Sequence, residues 1–172
     1  FNRGQGIEQT NEYLRFVPKS TEGVCTIQNF DRRKTRKAGY ADNQFRDVLE
    51  LRYNSTKDRT WIINELPIDE YLYGLAETSN TSHQEYKKAL VTTARTYAVY
   101  HWERATKHAS EFFHMNSTAD DQVCNGYEYE TRNPRIREAV EETGGITVNY
   151  QNATALTPYF SRSDGRTRDW NE

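Results

Sequence analysis

Residues 66–102, LPIDEYLYGLAETSNTSHQEYKKALVTTARTYAVYHW, form the stretch that decides the fold of this chain. Pro67 suits the opening position of a helix, where its missing N–H is no loss. Asp69 and Glu70 would then lie in the first turn and complement the positive end of the helix dipole. Apolar residues follow at the spacing of one helix face, at Ile68, Tyr71, Leu72 and Leu75. We therefore predict a short helix that precedes a polar turn at residues 77–81.

A second, long helix is predicted to begin with the capping box Ser82-His83-Gln84-Glu85 and to run to about Lys107. One face would carry Tyr86, Ala89, Leu90, Thr93, Ala94, Tyr97 and Ala98. A second face would carry Lys88, Val91, Arg95, Val99 and Trp102. Because apolar residues cover more than half of its circumference, we expect this helix to be buried. Arg95 then needs a partner, since a lone buried charge is costly.

Length and composition indicate one globular domain over residues 1–172, in which residues 1–65 are mainly β-structure. A net charge of −2 gives no global field that would favour nucleic acid. The basic run at residues 32–37 is interpreted as a solvated loop. No apolar run is long enough to cross a membrane. The chain begins without Met, and we interpret it as a piece of a longer protein.

The order of the predicted elements favours an α+β fold. Strands are expected at 24–30, and at 48–53 and 60–64 as a hairpin. After the helical hairpin, residues 108–133 are predicted to be loop and short strand. A short helix should follow Asn133-Pro134, with Ile136, Ala139 and Val140 on one face, and end at Gly144-Gly145. A second hairpin is predicted from 146–150 and 154–160.

Glu77 is the candidate for acid–base chemistry. It would lie at a helix C-terminus, whose negative potential favours the protonated carboxyl group. Arg95, if it were adjacent, would favour the carboxylate instead. Glu77 could equally cap a turn or pair with Arg95, and residue type alone favours that structural role.

Other candidate sites are weaker. His101, His108, His114 and Cys124 could form a metal cluster, but their spacing matches no standard zinc signature. Cys25 and Cys124 could pair or remain free thiols. The small, polar tail at 161–167 could bind a ligand through backbone N–H groups or be a plain turn.

Six segments together resemble the stage II sporulation protein D (SpoIID)/LytB domain family: LPIDEYLYG, Glu77, ALVTTARTYA, DQVCNGY, EETGG and YFSRSDGRT. In that family a catalytic Glu precedes an Arg-Thr-Tyr-Ala helix by eighteen residues, and here 95 − 77 = 18. The resemblance implies a bacterial peptidoglycan lytic transglycosylase, a lyase that cleaves the MurNAc–GlcNAc β-1,4 bond and leaves a 1,6-anhydro-muramyl end. The alternative is a non-catalytic glycan-binding or amidase-enhancer module.

The resemblance also implies that residues 66–172 are the catalytic core, and it assigns roles to residues. Glu77 would be the single general acid/base. Substrate-binding roles fall on Arg95, Lys88, Tyr97, Gln122, Tyr127, Ser161, Ser163, Asp164, Gly165 and Thr167. Some members bind zinc just before the Gln-Val-Tyr block, where this chain has Asp121, and Cys124 replaces the Tyr. We therefore expect no metal and no other cofactor.

The resemblance further implies an extracytoplasmic location, in the cell envelope or secreted. The expected partners are peptidoglycan glycan strands, together with other cell-wall hydrolases, and not nucleic acid. Any membrane attachment would belong to parts of the parent protein outside this chain. Glu77 is expected to open onto a groove bounded by residues 161–167.

Overall fold

The computed structural model, which describes residues 13–20, 23–30, 40–105, 107–160 and 164–166, opens with β-structure. The strands are β1 (Tyr13–Phe16), β2 (Val24–Thr26), β3 (Gln44–Arg46), β4 (Val48–Asn54) and β5 (Arg59–Glu65). An antiparallel sheet has the order β1-β4-β5, and β2 pairs separately with β3. The register of the predicted hairpin places Leu51 opposite Ile62. This hairpin is confirmed.

Two details of the N-terminal strands differ from the prediction. The strand expected at 24–30 ends at Thr26, and the chain turns at Asn29, where φ is +58°. Strand β3 was not predicted. It is only three residues long and lies between Asp42 and Asp47, both in the left-handed region. So short a strand shows no period in the sequence, and its pairing with β2 maintains it. The basic run at 32–37 lies outside the described residues.

Helices α1 (Ile68–Tyr73) and α2 (Gln84–Arg104) form the predicted helical hairpin. The capping prediction was wrong in one position. His83, not Ser82, is the N-cap of α2, and its Nδ1 accepts a hydrogen bond from the Glu85 N–H at 3.3 Å. The helix also ends before Lys107, because Ala105 adopts the left-handed conformation that closes the last turn.

The core forms where α1 and α2 meet a later helix, α4 (Pro134–Glu142). It consists of Leu72, Tyr73, Leu75, Leu90, Val91, Ala94, Ile136, Ala139 and Val140. The predicted apolar face of α4 is therefore confirmed. Burial of α2 is less complete than expected, because Tyr86 and Trp102 are 53% and 64% exposed. None of the described helices combines the length and apolar composition needed to cross a bilayer.

A six-residue helix, α3 (Tyr127–Arg132), replaces the loop or short strand expected in this region. Gly126 precedes it with φ +70°, and a Cβ there would lie 2.5 Å from the Gln44 carbonyl oxygen. Glu130 in α3 is buried and accepts two hydrogen bonds from Arg46, at 2.7 and 2.8 Å. These tertiary contacts, not a local period, stabilise the helix.

The second hairpin is much shorter than predicted. It contains only β6 (Asn149–Tyr150) and β7 (Ala153–Thr154), around a turn in which both Gln151 and Asn152 are left-handed. Beyond these strands the Ala155 N–H donates to the Val148 carbonyl at 3.0 Å, and the other flanking bonds go to α2. The Val148 N–H donates to Thr96 Oγ1 at 3.0 Å, and Thr157 Oγ1 donates to the Thr93 carbonyl at 2.9 Å. The fold is α+β as predicted.

Arg95 lies in the core with its side chain 2% exposed, and it connects three elements. Its guanidinium donates to Asp69 Oδ1 of α1 at 3.2 and 3.3 Å. It also donates to the carbonyls of Val140 and Thr143, at 3.0 and 2.7 Å, and to that of Ile146 at 3.3 Å. Carbonyls at a helix C-terminus lack intrahelical partners, so Arg95 supplies the donors that end α4.

Replacing Arg95 with Met should destabilise the fold by about 3–5 kcal/mol, because buried carbonyls would lose their donor. The measurement is urea-induced unfolding followed by far-UV circular dichroism. Lys88→Met on the same helix is the control, since Lys88 pairs with Glu85 and Glu142 at the surface and should matter little. Equal losses in the two variants would contradict the role assigned to Arg95.

His101 is buried on α2, and neither ring nitrogen has a hydrogen-bond partner in the described part of the chain. Its ring meets the edges of Tyr97 and Tyr100, with centroids 4.4 and 5.4 Å away. Burial lowers its pKa below the usual 6.5, and Asp121 opposes this shift in part. The fold therefore favours the neutral imidazole. This contribution to stability is present above pH 6.5 and is lost as the pH falls toward the folded pKa.

His101→Phe should reduce the loss of unfolding free energy between about pH 7 and about pH 5, because the unfolded chain would no longer take up that proton. Urea unfolding at the two pH values measures the difference. His114→Phe is the control, since His114 is exposed. The same pH dependence in wild type and His101→Phe would refute this explanation.

Candidate active site

Glu77 is positioned by a short antiparallel contact between residues 74–77 and 123–125. Leu75 pairs with Cys124 as an isolated bridge. The Ala76 N–H donates to the Val123 carbonyl at 2.7 Å, and the Asn125 N–H donates to the Gly74 carbonyl at 2.9 Å. The chain leaving α1 is thus held against a segment about fifty residues later in sequence.

Gly74 permits this contact. A Cβ at this position would lie 3.0 Å from Cys124 Sγ and 3.1 Å from the Gly126 nitrogen, so a side chain would require these neighbours to shift by a few tenths of an ångström. Cys124 Sγ is directed toward the Tyr71 carbonyl, at 3.8 Å. Cys25 and Cys124 form no disulfide with each other.

The Glu77 carboxyl group is half-buried and is fixed through one oxygen. Oε1 accepts a hydrogen bond from the Val123 N–H at 2.6 Å. Among the described residues no other group donates to this carboxyl group. The pairing with Arg95 that the sequence allowed is not formed, because Arg95 bonds to Asp69 and to carbonyls of the core. Glu77 is therefore oriented without being neutralised by an ion pair.

The turn after Glu77 is held by backbone carbonyls. Tyr129 donates through its hydroxyl to the Thr78 carbonyl. The Lys87 ammonium, fully buried, donates to the carbonyls of Asn80 and Ser82, both at 2.9 Å. Lys87 was not predicted to act here. Its spacing from Val91, Ala94 and Ala98 is the signal that could have placed it on the buried face of α2.

A layer of polar side chains lies behind the contact that holds Glu77. Tyr71 donates through its hydroxyl to Gln122 Oε1 at 2.8 Å, and Gln122 Nε2 donates to the Ala94 carbonyl at 3.2 Å. Gln122 is fully buried. Because these two bonds hold Gln122 against α1 and α2, Gln122 positions the neighbouring Val123. Burial raises the pKa of the Tyr71 hydroxyl well above its usual value, and the charges of nearby groups, including Glu77, add to this shift.

A second acidic residue, Asp121, lies fully buried in the adjacent loop. Its Oδ1 accepts from Lys107 and, at 3.4 Å, from the hydroxyl of Tyr97. Its Oδ2 contacts His108 Nε2 at 2.8 Å and accepts from the Asn116 N–H at 2.7 Å. Burial alone would raise the pKa of the Asp121 carboxyl group, but these hydrogen bonds outweigh that effect and lower the pKa below its usual value. Asp121 is thus an ionised, fully bonded carboxylate.

The residues proposed for a metal cluster do not assemble into one. His108 bonds through both ring nitrogens, to Glu111 at 2.9 Å and to Asp121 at 2.8 Å. The Lys107 ammonium already supplies a cation to Asp121. Within the described residues, no group of three or more His, Cys, Asp and Glu side chains could hold a metal ion.

The remaining predicted site residues are dispersed. Lys88 bridges Glu85 and Glu142 at the surface, at 2.9 and 2.7 Å. The ring of Tyr127 lies beneath the Arg46 guanidinium, 4.6 Å from its centroid. Arg95 and Gln122 are buried, so they can affect the site only through the groups that they position.

The predicted sugar-binding loop is described only in part. Ser161, Ser163 and Thr167 lie outside the described residues. Asp164 Oδ1 accepts from the Arg166 N–H at 3.2 Å, and Gly165 has φ +85°. That this loop bounds a groove at Glu77 stays a prediction.

Comparison with known proteins identifies the family. The family model described as SpoIID, stage II sporulation protein, matches residues 56–150, which include Glu77, Arg95 and Gln122. An uncharacterized protein of Brachyspira hyodysenteriae is 32% identical over 126 residues, which cover 72% of this chain. The chain spans about a third of the length of that relative, since the match covers 33% of it. The family is linked to cell-wall lytic activity and to the cell envelope. The chain belongs to the SpoIID family.

Proposed function

We propose that this chain is a peptidoglycan lytic transglycosylase in which Glu77 is the single general acid/base. The observation that carries the proposal is the state of its carboxyl group. Val123 fixes Oε1 at 2.6 Å, and no cation among the described residues pairs with Glu77. A group that is oriented in this way and still accessible to a ligand can transfer protons.

In the proposed reaction, one carboxyl group makes both proton transfers. Glu77 first donates its proton to the glycosidic oxygen as the bond to the MurNAc C1 breaks and an oxocarbenium-like centre develops. The resulting carboxylate then takes the proton of the MurNAc C6 hydroxyl, whose oxygen bonds to C1. The products are a free GlcNAc 4-hydroxyl and a 1,6-anhydro-muramyl end, and Glu77 regains its proton.

Hydrolysis of the same bond usually needs two carboxylates. In the neighbouring loop, the side chain of Asp121 has no exposed surface and uses both oxygens in hydrogen bonds. Asp121 is therefore unsuited to activate a water molecule. This difference favours a transglycosylase over a hydrolase.

The proposal extends to the setting of the enzyme. Its substrate would be the glycan strand of peptidoglycan, and its place of action the cell envelope or the space outside the cell. Where the family commonly has Gly-Glu-Met-Pro, this chain has Ala76-Glu77-Thr78-Ser79, and Leu90 replaces the family's helix Gln. These departures favour a second candidate, a module that binds glycan or enhances an amidase without cleaving.

Digestion of purified glycan strands, with and without stem peptides, tests the proposal. Mass spectrometry should find anhydro-muramyl ends with the wild-type chain, and Glu77→Gln should reduce their formation by at least about 100-fold. The Gln side chain retains an oxygen for the Val123 N–H, so the variant should fold normally.

Glu85→Gln is the matched control, because Glu85 is 69% exposed and pairs with Lys88 at the surface. It should leave the product yield unchanged. Reducing ends in place of anhydro ends would refute the single-carboxylate mechanism. Binding without cleavage by the wild type would support the second candidate.

A further inference from the structure

One edge of the N-terminal sheet is formed by β5. In the order β1-β4-β5 this strand has β4 on one side, and within the described residues no other backbone group bonds to it. An antiparallel strand directs the N–H and C=O of every second residue away from its neighbour. Strand β5 therefore presents a row of donors and acceptors along its outer side, and such a row is a template for a further strand.

Strand β5 lacks the features that usually protect a sheet edge. It is seven residues long, and it pairs with β4 without a bulge from Asn54↔Arg59 to Val48↔Glu65. It contains neither Pro nor Lys, the residues that commonly block the addition of a strand. Ile62, at its centre, is 43% exposed. The edge is therefore open to pairing.

The sequence of β5, RTWIINE, is complementary to itself when a second copy runs antiparallel about a twofold axis at Ile62. At the two ends, Arg59 of each copy would face Glu65 of the other. Between the ends the facing residues would be Thr60 with Asn64, Trp61 with Ile63, and Ile62 with Ile62. Opposite charges and aromatic–β-branched pairs are among the cross-strand pairs that stabilise antiparallel strands.

A shift of this register by two residues in either direction loses the complementarity. One shift would place Arg59 opposite Ile63, and the other would place Glu65 opposite Trp61. The charges and the apolar residues of β5 therefore favour the register centred on Ile62. Glu65 already bonds to Arg15, but its side chain is 60% exposed, and a carboxylate can accept from more than one guanidinium.

The same register continues an apolar row across the sheet. Leu14 of β1 faces Leu51 of β4, and Leu51 faces Ile62 of β5. Residues directly opposite each other lie on the same face of a sheet, so these three side chains form one row. With Ile62 of one copy against Ile62 of the other, the row would continue across both sheets, and the exposed surface of Ile62 would be buried.

We propose that β5 pairs antiparallel with β5 of a second copy of this chain, centred on Ile62, and so joins two three-stranded sheets into one sheet of six strands. The contact uses the same surface on both copies, so it closes at a dimer. A single strand edge is a small interface, and we expect a dissociation constant of about 1–100 µM. Because Glu77 takes no part, the pairing is independent of the proposed function.

Sedimentation velocity of the chain at about 1–300 µM tests the proposal, and the wild type should change from monomer to dimer over this range. Arg59→Glu places two acidic residues opposite each other, and Glu65→Arg places two basic residues opposite each other. Each variant should weaken dimerisation by at least about 10-fold. The double variant Arg59→Glu/Glu65→Arg restores opposite charges, so it should dimerise within about 3-fold of the wild type.

A mixture of the two single variants gives a sharper result. Each Arg59→Glu chain would face a Glu65→Arg chain with opposite charges at both ends, so the equimolar mixture should dimerise although neither variant does so alone. Both variants lose only surface contacts within the chain, to Trp61 and Arg15, and should stay folded in urea unfolding.

Lys57→Glu is the matched control. It makes the same change of charge as Arg59→Glu, on the exposed turn just before β5 and outside the paired residues. It should leave the dissociation constant of the dimer unchanged within about 2-fold, because charges exposed at a distance are screened.

Three results would overturn the proposal. The first is a wild-type chain that stays monomeric at about 300 µM. The second is a dimer whose dissociation constant is the same in the wild type and in both single variants. The third is weakening by Lys57→Glu equal to that by Arg59→Glu. None of these results bears on glycan cleavage, so the proposed function is tested separately.

Discussion

The fold depends on the buried guanidinium group of Arg95, whose N–H groups donate mainly to peptide carbonyls. Arg95 is removed from water in the middle of α2, and its donors are used by the C-terminal end of α4 and by Asp69 at the start of α1. A helix end buried without such donors would be unfavourable. One side chain therefore connects the three helices that form the core, in addition to their apolar packing.

The candidate active site is built on this core by contacts distant in sequence. Gly74 allows the segment after α1 to lie against residues 123–125, and the Val123 N–H then orients Glu77. Behind them, Gln122 is bonded to α1 and to α2. The catalytic candidate is thus held by backbone contacts and a buried amide, which can maintain its geometry before a ligand arrives.

Sequence reasoning succeeded where a period or a family motif carried the signal. The helical hairpin, α4 and the β4–β5 hairpin all have a clear period, and the family match supports the assignment that the motif around Glu77 suggested. It failed where tertiary contacts override a weak local pattern, as in α3, whose buried Glu130 needs Arg46 from a distant strand. The partner of Arg95 could not be predicted either, because Asp69 and the carbonyls of α4 meet it only in the folded chain.

The turn that follows Glu77 has one more consequence. The carbonyls of Thr78, Ser79, Asn80 and Ser82 all accept hydrogen bonds from within the protein. The exposed side chains of Ser79 and Thr81 bond to each other at 2.9 Å, and Ser79 Oγ also bonds to Ser82 Oγ at 3.2 Å, so they add bonds only within the turn. Because the contacts between the turn and the rest of the protein use backbone carbonyls, exchanging these two residues should change the surface beside Glu77 more than it changes the fold.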